Sequence, residues 1–80
     1  MTEPEIYTVL TDIFHDLFAD DAIVLRPETT ADQVPGWDSF NHLNIIVAVE
    51  DAFSIKMKTD EIEKLNNVGD LVKTIQRKLH

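Results

Sequence analysis

The stretch from Asp38 to Phe53 constrains this chain more than any other. Apolar side chains stand at Phe40, Leu43, Ile45, Ile46, Val47, Val49 and Phe53. On a helix they cover more than one stripe, which predicts a central helix with contacts on more than one side. The run Ile45-Ile46-Val47-Ala48-Val49 also reads as a buried strand. The length of the whole segment, the serine at its start and the break at Glu50-Asp51 favour helix. Asp38 and Ser39 open it. A serine hydroxyl at a helix start can accept a bond from a free backbone N–H, and it faces the positive end of the helix dipole. What precedes is irregular. In residues 19–38, Asp20-Asp21, Arg26-Pro27, Thr29-Thr30 and Pro35-Gly36 break any period. A loop of that length inside a small domain is either functional or ordered by its own side chains. Ile23, Val24, Leu25 and Val34 are its expected anchors, and Asp32 a candidate cap for a short turn.

The remaining elements follow from the same periodicity. Thr2-Glu3-Pro4-Glu5 has capping-box spacing with a proline in the first turn. Ile6, Val9, Leu10, Ile13, Phe14 and Leu17 then form an amphipathic stripe. Ser54 to Lys58 is an extended link with Ile55 and Met57 pointing inward. A short helix starts at Thr59 or Asp60, with Asp60 and Glu63 at capping-box spacing and Ile62 and Leu65 on its buried side. Asn67 caps a last helix whose face is Val68, Leu71, Val72, Ile75 and Leu79, with Lys73, Arg77 and Lys78 towards its C-terminus, where cations suit the dipole. The expected fold is all-α: three longer helices and one short one, at about 3–18, 39–53, 60–65 and 68–79. With a long first loop they form a four-helix bundle around one core, a single domain spanning 1–80.

Eighty residues bury only roughly 60–65% of the surface that the unfolded chain exposes, so the core is thin. The absence of cysteine excludes a disulfide framework, a thiolate nucleophile and a cysteine zinc site, and is compatible with the cytoplasm, the expected compartment. Net charge is −8, carried by the first half: residues 1–38 hold nine acids and one base, residues 39–80 six of each. That argues against a nucleic-acid backbone as partner. It favours a basic protein partner or serves solubility alone. No basic-then-apolar leader is visible, and no apolar run approaches the ~20 residues of a membrane span.

Asp38, Ser39 and His42 have the composition of a catalytic triad, with His15 and His80 the other imidazoles. Neighbours on one helix do not supply a triad's geometry, in which the imidazole lies between nucleophile and carboxylate. No metal-binding pattern occurs. His15 is placed at the solvated edge of the first helix and His80 on a frayed end. The reading is therefore not an enzyme and no metal. Taken alone, Ser39 is most simply an ordinary cap.

The surroundings of Ser39 change that. Gly36-Trp37-Asp38-Ser39-Phe40 resembles the G-x-D-S-L signature of acyl carrier proteins and the related peptidyl carrier proteins. Glu50-Asp51-Ala52-Phe53 followed by Ser54-Ile55-Lys56-Met57, then Thr59-Asp60-Glu61-Ile62, then Asn67-Val68-Gly69-Asp70-Leu71 are similar to later passages of the same family. The resemblance is strongest from 34 to 75. It implies a bundle of acyl-carrier type in which Ser39 receives a 4′-phosphopantetheine arm from coenzyme A, added by a phosphopantetheinyl transferase. Acyl intermediates are then carried as thioesters between enzymes of fatty-acid, polyketide or other specialised biosynthesis. Asp38 corresponds to the acid beside the serine. Asp38, Phe40, Val47, Glu50 and Asp51 are the implied docking residues for the transferase and for acyl-activating or acyl-transferring enzymes. Val47 is equally readable as core. No nucleic acid or membrane partner is implied, and the chain is expected to act as a monomer.

Departures from the family pattern bear on partners. Asn41 and Asn44 stand where acids are common in fatty-acid carriers, Ala52 replaces a third acid, Phe40 replaces leucine, and Lys56 and Lys58 follow the helix. The wording is closer to stand-alone carriers of specialised pathways. The alternatives are an aminoacyl or peptidyl carrier, or an interaction module of the same fold that lacks the arm.

Overall fold

The computed structural model describes residues 2–79; His80 lies outside them. Over these residues the chain forms α1 (Glu3–Phe18), α2 (Ser39–Phe53), α3 (Thr59–Glu63) and α4 (Val68–Leu79), with no strand. The order of three longer helices, a short third one and a long first connection is the one expected. Thr2 caps α1 through both halves of a capping box: the Glu5 N–H donates to Thr2 Oγ1, and the Thr2 N–H to Glu5 Oε1 at 3.0 Å. The Thr2 N–H and then the Thr2 hydroxyl, both donating to Glu5 Oε1, hold the Glu5 carboxyl below its ordinary range.

Ile6, Leu10 and Phe14 of α1 are fully buried, each burial stabilising by roughly 1.5–3 kcal/mol. They meet Ile45, Ile46, Val49 and Phe53 of α2 and Val68, Leu71, Val72 and Ile75 of α4 in one core. It is α1, not α2, that packs closely against two other helices, α2 and α4. The apolar width of α2 has another cause: Phe40, Leu43 and Val47 are 74, 57 and 64% exposed. They form an outward stripe rather than a second packed side.

Local bonds order parts of the long connection. In the extended segment Ile23-Val24-Leu25, side chains alternate, so Ile23 and Leu25 are buried while Val24, expected as an anchor, faces out. Thr29 is buried, and its Oγ1 accepts the Arg26 N–H at 2.9 Å. A single 3-10 turn covers Ala31–Gln33. It is opened by Thr30, whose N–H donates to Gln33 Oε1, rather than by Asp32. Pro35 and Gly36 then make a turn closed by Trp37 N–H to the Val34 carbonyl at 3.1 Å. Gly36 has φ +88°, the value a type II turn requires after proline.

Two carbonyls of this connection reach α4. The N–H groups of Val68 and Gly69, free donors of a first helical turn, donate to the Thr29 and Pro27 carbonyls at 2.9 Å each. Asn67 is the cap expected from sequence: its Oδ1 accepts the Asp70 N–H at 2.8 Å. The approach is so close that a Cβ on Gly69 would stand 2.9 Å from the Pro27 carbonyl oxygen.

α2 ends at Ser54 in the left-handed region. The Glu50 carboxylate then accepts the Met57 N–H at 2.9 Å, fixing the link whose Ile55 and Met57 are buried. The third helix, expected over 60–65 with Asp60 and Glu63 as its box, lies at Thr59–Glu63. Its first-turn acceptor is Glu61, which takes the Lys58 N–H at 2.9 Å. Glu61 also pairs with Lys78 of α4 at 2.8 Å, and the Lys78 bond, then the Lys58 bond, hold its carboxyl below the ordinary range. Ile62 and Leu65 are half-buried against the core rather than fully enclosed.

Gly69→Ala should lower stability by about 1–3 kcal/mol through overpacking, read as a lower urea midpoint; an unchanged midpoint would show that the connection retreats freely from α4. Glu61 has a depressed folded-state pKa. Its contribution is therefore present above the ordinary carboxyl range and lost as pH falls through the folded value. Amide protection in α3 should fall on acidification in wild type, and Glu61→Gln should show the reduced protection already at neutral pH.

Candidate functional site

The site is built where the turn at Pro35-Gly36 hands the chain to α2. Asp38, in extended conformation, is the N-cap residue, and its Oδ1 accepts the Asn41 N–H at 2.9 Å. This corrects the reading of Ser39 as the cap. Ser39 is the first helical residue and exposed. Among the described residues no hydrogen bond involves its hydroxyl. The cap position and the free serine are therefore separate, adjacent residues: the carboxylate satisfies the helix end, and the hydroxyl remains available.

Asn41 ties the turn to the helix from the other side. Its Nδ2 donates to the Gly36 carbonyl at 2.6 Å, and Asn44 Nδ2 donates to Asn41 Oδ1 at 3.3 Å. A carboxylate at 41 has no proton to give to that carbonyl at neutral pH. The amide that departs from the acidic pattern thus has a local structural use.

Trp37 is half-buried, edge-on to Phe14 of α1, with ring centroids 5.1 Å apart at 83°. Its plane lies within 20° of the His42 ring, with centroids 6.0 Å apart, and its Nε1–H donates to His42 Nδ1 at 3.1 Å. Asp38, Ser39 and His42 are brought to one helix end but not into a relay. The His42 Nδ1 is taken by the indole and the Asp38 carboxylate by the backbone of Asn41. His15 is also not where the sequence puts it. It is half-buried, and its Nε2–H donates to the Ile23 carbonyl at 2.9 Å, pinning the connection to α1. Among the described residues no group of three or more His, Asp or Glu side chains could hold a metal ion.

Beside Ser39 lies an open groove of about 430 Å³ between the start of α2, α3 and the start of α4. Trp37, Asp38, Ser39 and His42 form one side of it, with Ile62, Leu65 and Leu71 supplying apolar surface opposite. A larger concavity of about 690 Å³ between α3 and α4 is lined by Lys64, Lys73 and Arg77 and does not include Ser39.

The residues expected to dock partners separate into two groups. Phe40, Val47 and Asp51 are exposed along α2. Glu50 is half-buried and spends its carboxylate on the Met57 N–H. Leu43, absent from the sequence-based set, belongs to the exposed stripe. Its spacing from Phe40 and Val47, three and four residues, is the signal that identifies one helix face.

No family model matches the chain. The acyl carrier protein of Clostridium acetobutylicum is 32% identical over 71 residues, 89% of this chain and 92% of that protein. That of Helicobacter pylori is 36% identical over 56 residues, 70% and 72% of the two chains. The solution structure of holo acyl carrier protein from Geobacter metallireducens is similar in fold, with a TM-score of 0.85 and 45% sequence identity, over 91% of this chain and 84% of that one. The bundle is thus a fold of the carrier type. The chain belongs to the acyl carrier protein family.

The division of labour at the helix start is measurable. Asp38→Ala should cost about 0.5–2 kcal/mol of stability as a lost N-cap. Ser39→Ala should stay within about 0.5 kcal/mol of wild type, as expected for a surface side chain without partners. Thermal or urea unfolding of the two variants reads both; the reverse order of effects would return the cap to Ser39.

Proposed function

We propose that the chain is a carrier and not an enzyme, and that Ser39 is the attachment point of a 4′-phosphopantetheine arm derived from coenzyme A. The observation that carries this reading is the exposed Ser39 hydroxyl, without a hydrogen bond in the described structure, on a helix start already capped by Asp38. The residues present fit such a group. A phosphodiester on Ser39 would sit at a helix N-terminus, where the dipole and backbone donors favour an anion. The adjoining groove offers apolar surface from Ile62, Leu65 and Leu71 to the part of an arm that leaves the phosphate. When bound, the arm supplies a terminal thiol that holds acyl groups as thioesters, which the cysteine-free chain does not itself provide.

The chain's own part is presentation and recognition. Phe40, Leu43 and Val47 give partners an apolar stripe on α2. Asp38 and Asp51 are exposed acids on the same helix or at its cap, and the net charge of −8 steers towards basic surfaces. The partners are a phosphopantetheinyl transferase and the acyl-activating or acyl-transferring enzymes of a fatty-acid, polyketide or specialised acyl pathway, met by a cytoplasmic monomer of one domain. The bond that engages the half-buried Glu50 carboxylate with the link, and the amides at 41 and 44, shift the weight of recognition from charge to this stripe. That favours partners other than those of a general fatty-acid carrier.

Incubation with coenzyme A, Mg²⁺ and a broad-specificity phosphopantetheinyl transferase should add one arm's mass to wild type and none to Ser39→Ala. An unmodified wild type overturns the assignment and leaves the armless interaction module; an equal gain in the variant overturns Ser39 as the attachment point.

A further inference from the structure

The Trp37–His42 pair fixes more than the position of a helix. An indole N–H only donates. His42 Nδ1, which accepts from it at 3.1 Å, therefore carries no proton in that arrangement. The proton of the neutral ring is on Nε2. His42 is half-buried, yet Nε2 has no hydrogen-bond partner among the described residues. Since no buried side-chain nitrogen or oxygen there lacks a partner, Nε2 is open to solvent. The groove that His42 lines is also lined by Ser39.

The ring is also held in orientation. It lies within 20° of the Trp37 plane and is bonded to its N–H, and Trp37 is set edge-on against the fully buried Phe14. The result is a donor of fixed direction, preorganised by packing that reaches the core. His42 stands three residues after Ser39 on the same helix, a spacing that places side chains on one face with Cβ atoms roughly 5–6 Å apart. That is within reach of an oxygen one phosphate beyond the serine.

The rest of the groove wall sharpens the assignment. Its charged members are Asp38 from the α2 cap and Glu63 from α3, and none is lysine or arginine. Trp37 spends its N–H on His42. Asn66 and Asn67 lie across the groove ahead of α4, and Asn67 caps that helix through its Oδ1. On the serine's own helix, His42 is the groove-lining side chain besides Ser39 that can donate a hydrogen bond.

We propose that His42 is a positioning residue for the arm: its Nε2–H donates to a non-bridging oxygen of the phosphodiester on Ser39 and turns the arm into the groove. The inference rests on Ser39 being the attachment point. The ligand chemistry is a phosphodiester monoanion next to two carboxylates. A neutral donor offsets some of that crowding without adding a cation.

The test uses ¹⁵N-labelled full-length chain before and after modification, with mass confirming the holo form. In the apo protein His42 should show the Nε2-protonated tautomer. In the holo protein its Hε2 signal should shift, exchange more slowly with water and show a contact to the phosphorus. Two variants separate donation from packing. His42→Phe keeps an aromatic ring against Trp37 without a donor, and His42→Gln keeps a donor without the ring. The ³¹P resonance of holo His42→Gln should lie with wild type, and that of holo His42→Phe should move away. A wild-type imidazole signal that coincides in apo and holo forms overturns the proposal without any variant, as does a ³¹P position that follows the ring rather than the donor. A wild type that gains no mass removes the attachment reading and this inference together. Gain with an unmoved imidazole removes the inference alone.

Discussion

The edge-on contact between Phe14 and Trp37 joins the core to the surface at the point that matters. Phe14 is fully buried in α1, so its position is set by the helix–helix packing of the bundle. Trp37 is the last residue but one before α2. Its ring is held by Phe14 on one side and His42 on the other. The start of α2 is therefore not a free end hanging from a loop. It is registered against the core through one aromatic side chain, and Ser39 inherits that position. Gly36 adds to it, because the turn it permits passes close to Phe18, where a Cβ would meet the ring at 3.3 Å.

The long connection is ordered by the same economy. Twenty residues with no regular structure beyond one 3-10 turn lose conformational entropy that only contacts can offset. Here the offset comes from three sources. Ile23, Leu25 and Val34 are buried in the shared core. His15 holds the Ile23 carbonyl. The Pro27 and Thr29 carbonyls satisfy donors of α4 that would otherwise be unpaired. The connection is a cap for the last helix as much as a link between the first two. α4 in turn holds α3 through Lys78 and Glu61, so one wall of the groove depends on a segment remote from it in sequence.

Much of this fold is legible in the sequence because its helices carry strong periodicity: of the α1 stripe Ile6, Leu10 and Phe14 are buried and Val9, Ile13 and Leu17 half-buried, and of the α4 face Val68, Leu71, Val72 and Ile75 are buried and Leu79 half-buried. The errors share a physical origin. Periodicity shows which residues share a face and not which face finds a partner, so Phe40, Leu43 and Val47 could not be told from a second packed side. A run such as Ile23-Val24-Leu25 names anchors without saying that extended backbone sends its middle residue outward. Capping rules rank serine and aspartate alike, and only the backbone bond to Asn41 shows that Asp38 does this work. The roles of Glu50 and His42 depend on a backbone N–H seven residues away and an indole five residues away, contacts that no periodic pattern encodes.

The exposed stripe on α2 has a cost that the rest of the composition offsets. Large apolar side chains left in water invite self-association, and a small chain has limited interior in which to hide them. Here a net charge of −8 on 80 residues opposes contact between copies by like-charge repulsion. The same field attracts a basic surface. In the proposed docking role, negative charge and the apolar stripe would act together: one selects which surfaces approach, the other supplies what holds them once water is excluded. The serine lies at the N-terminal end of that stripe, beside Phe40, so a surface seated on α2 is brought to the hydroxyl by the geometry of a single helix.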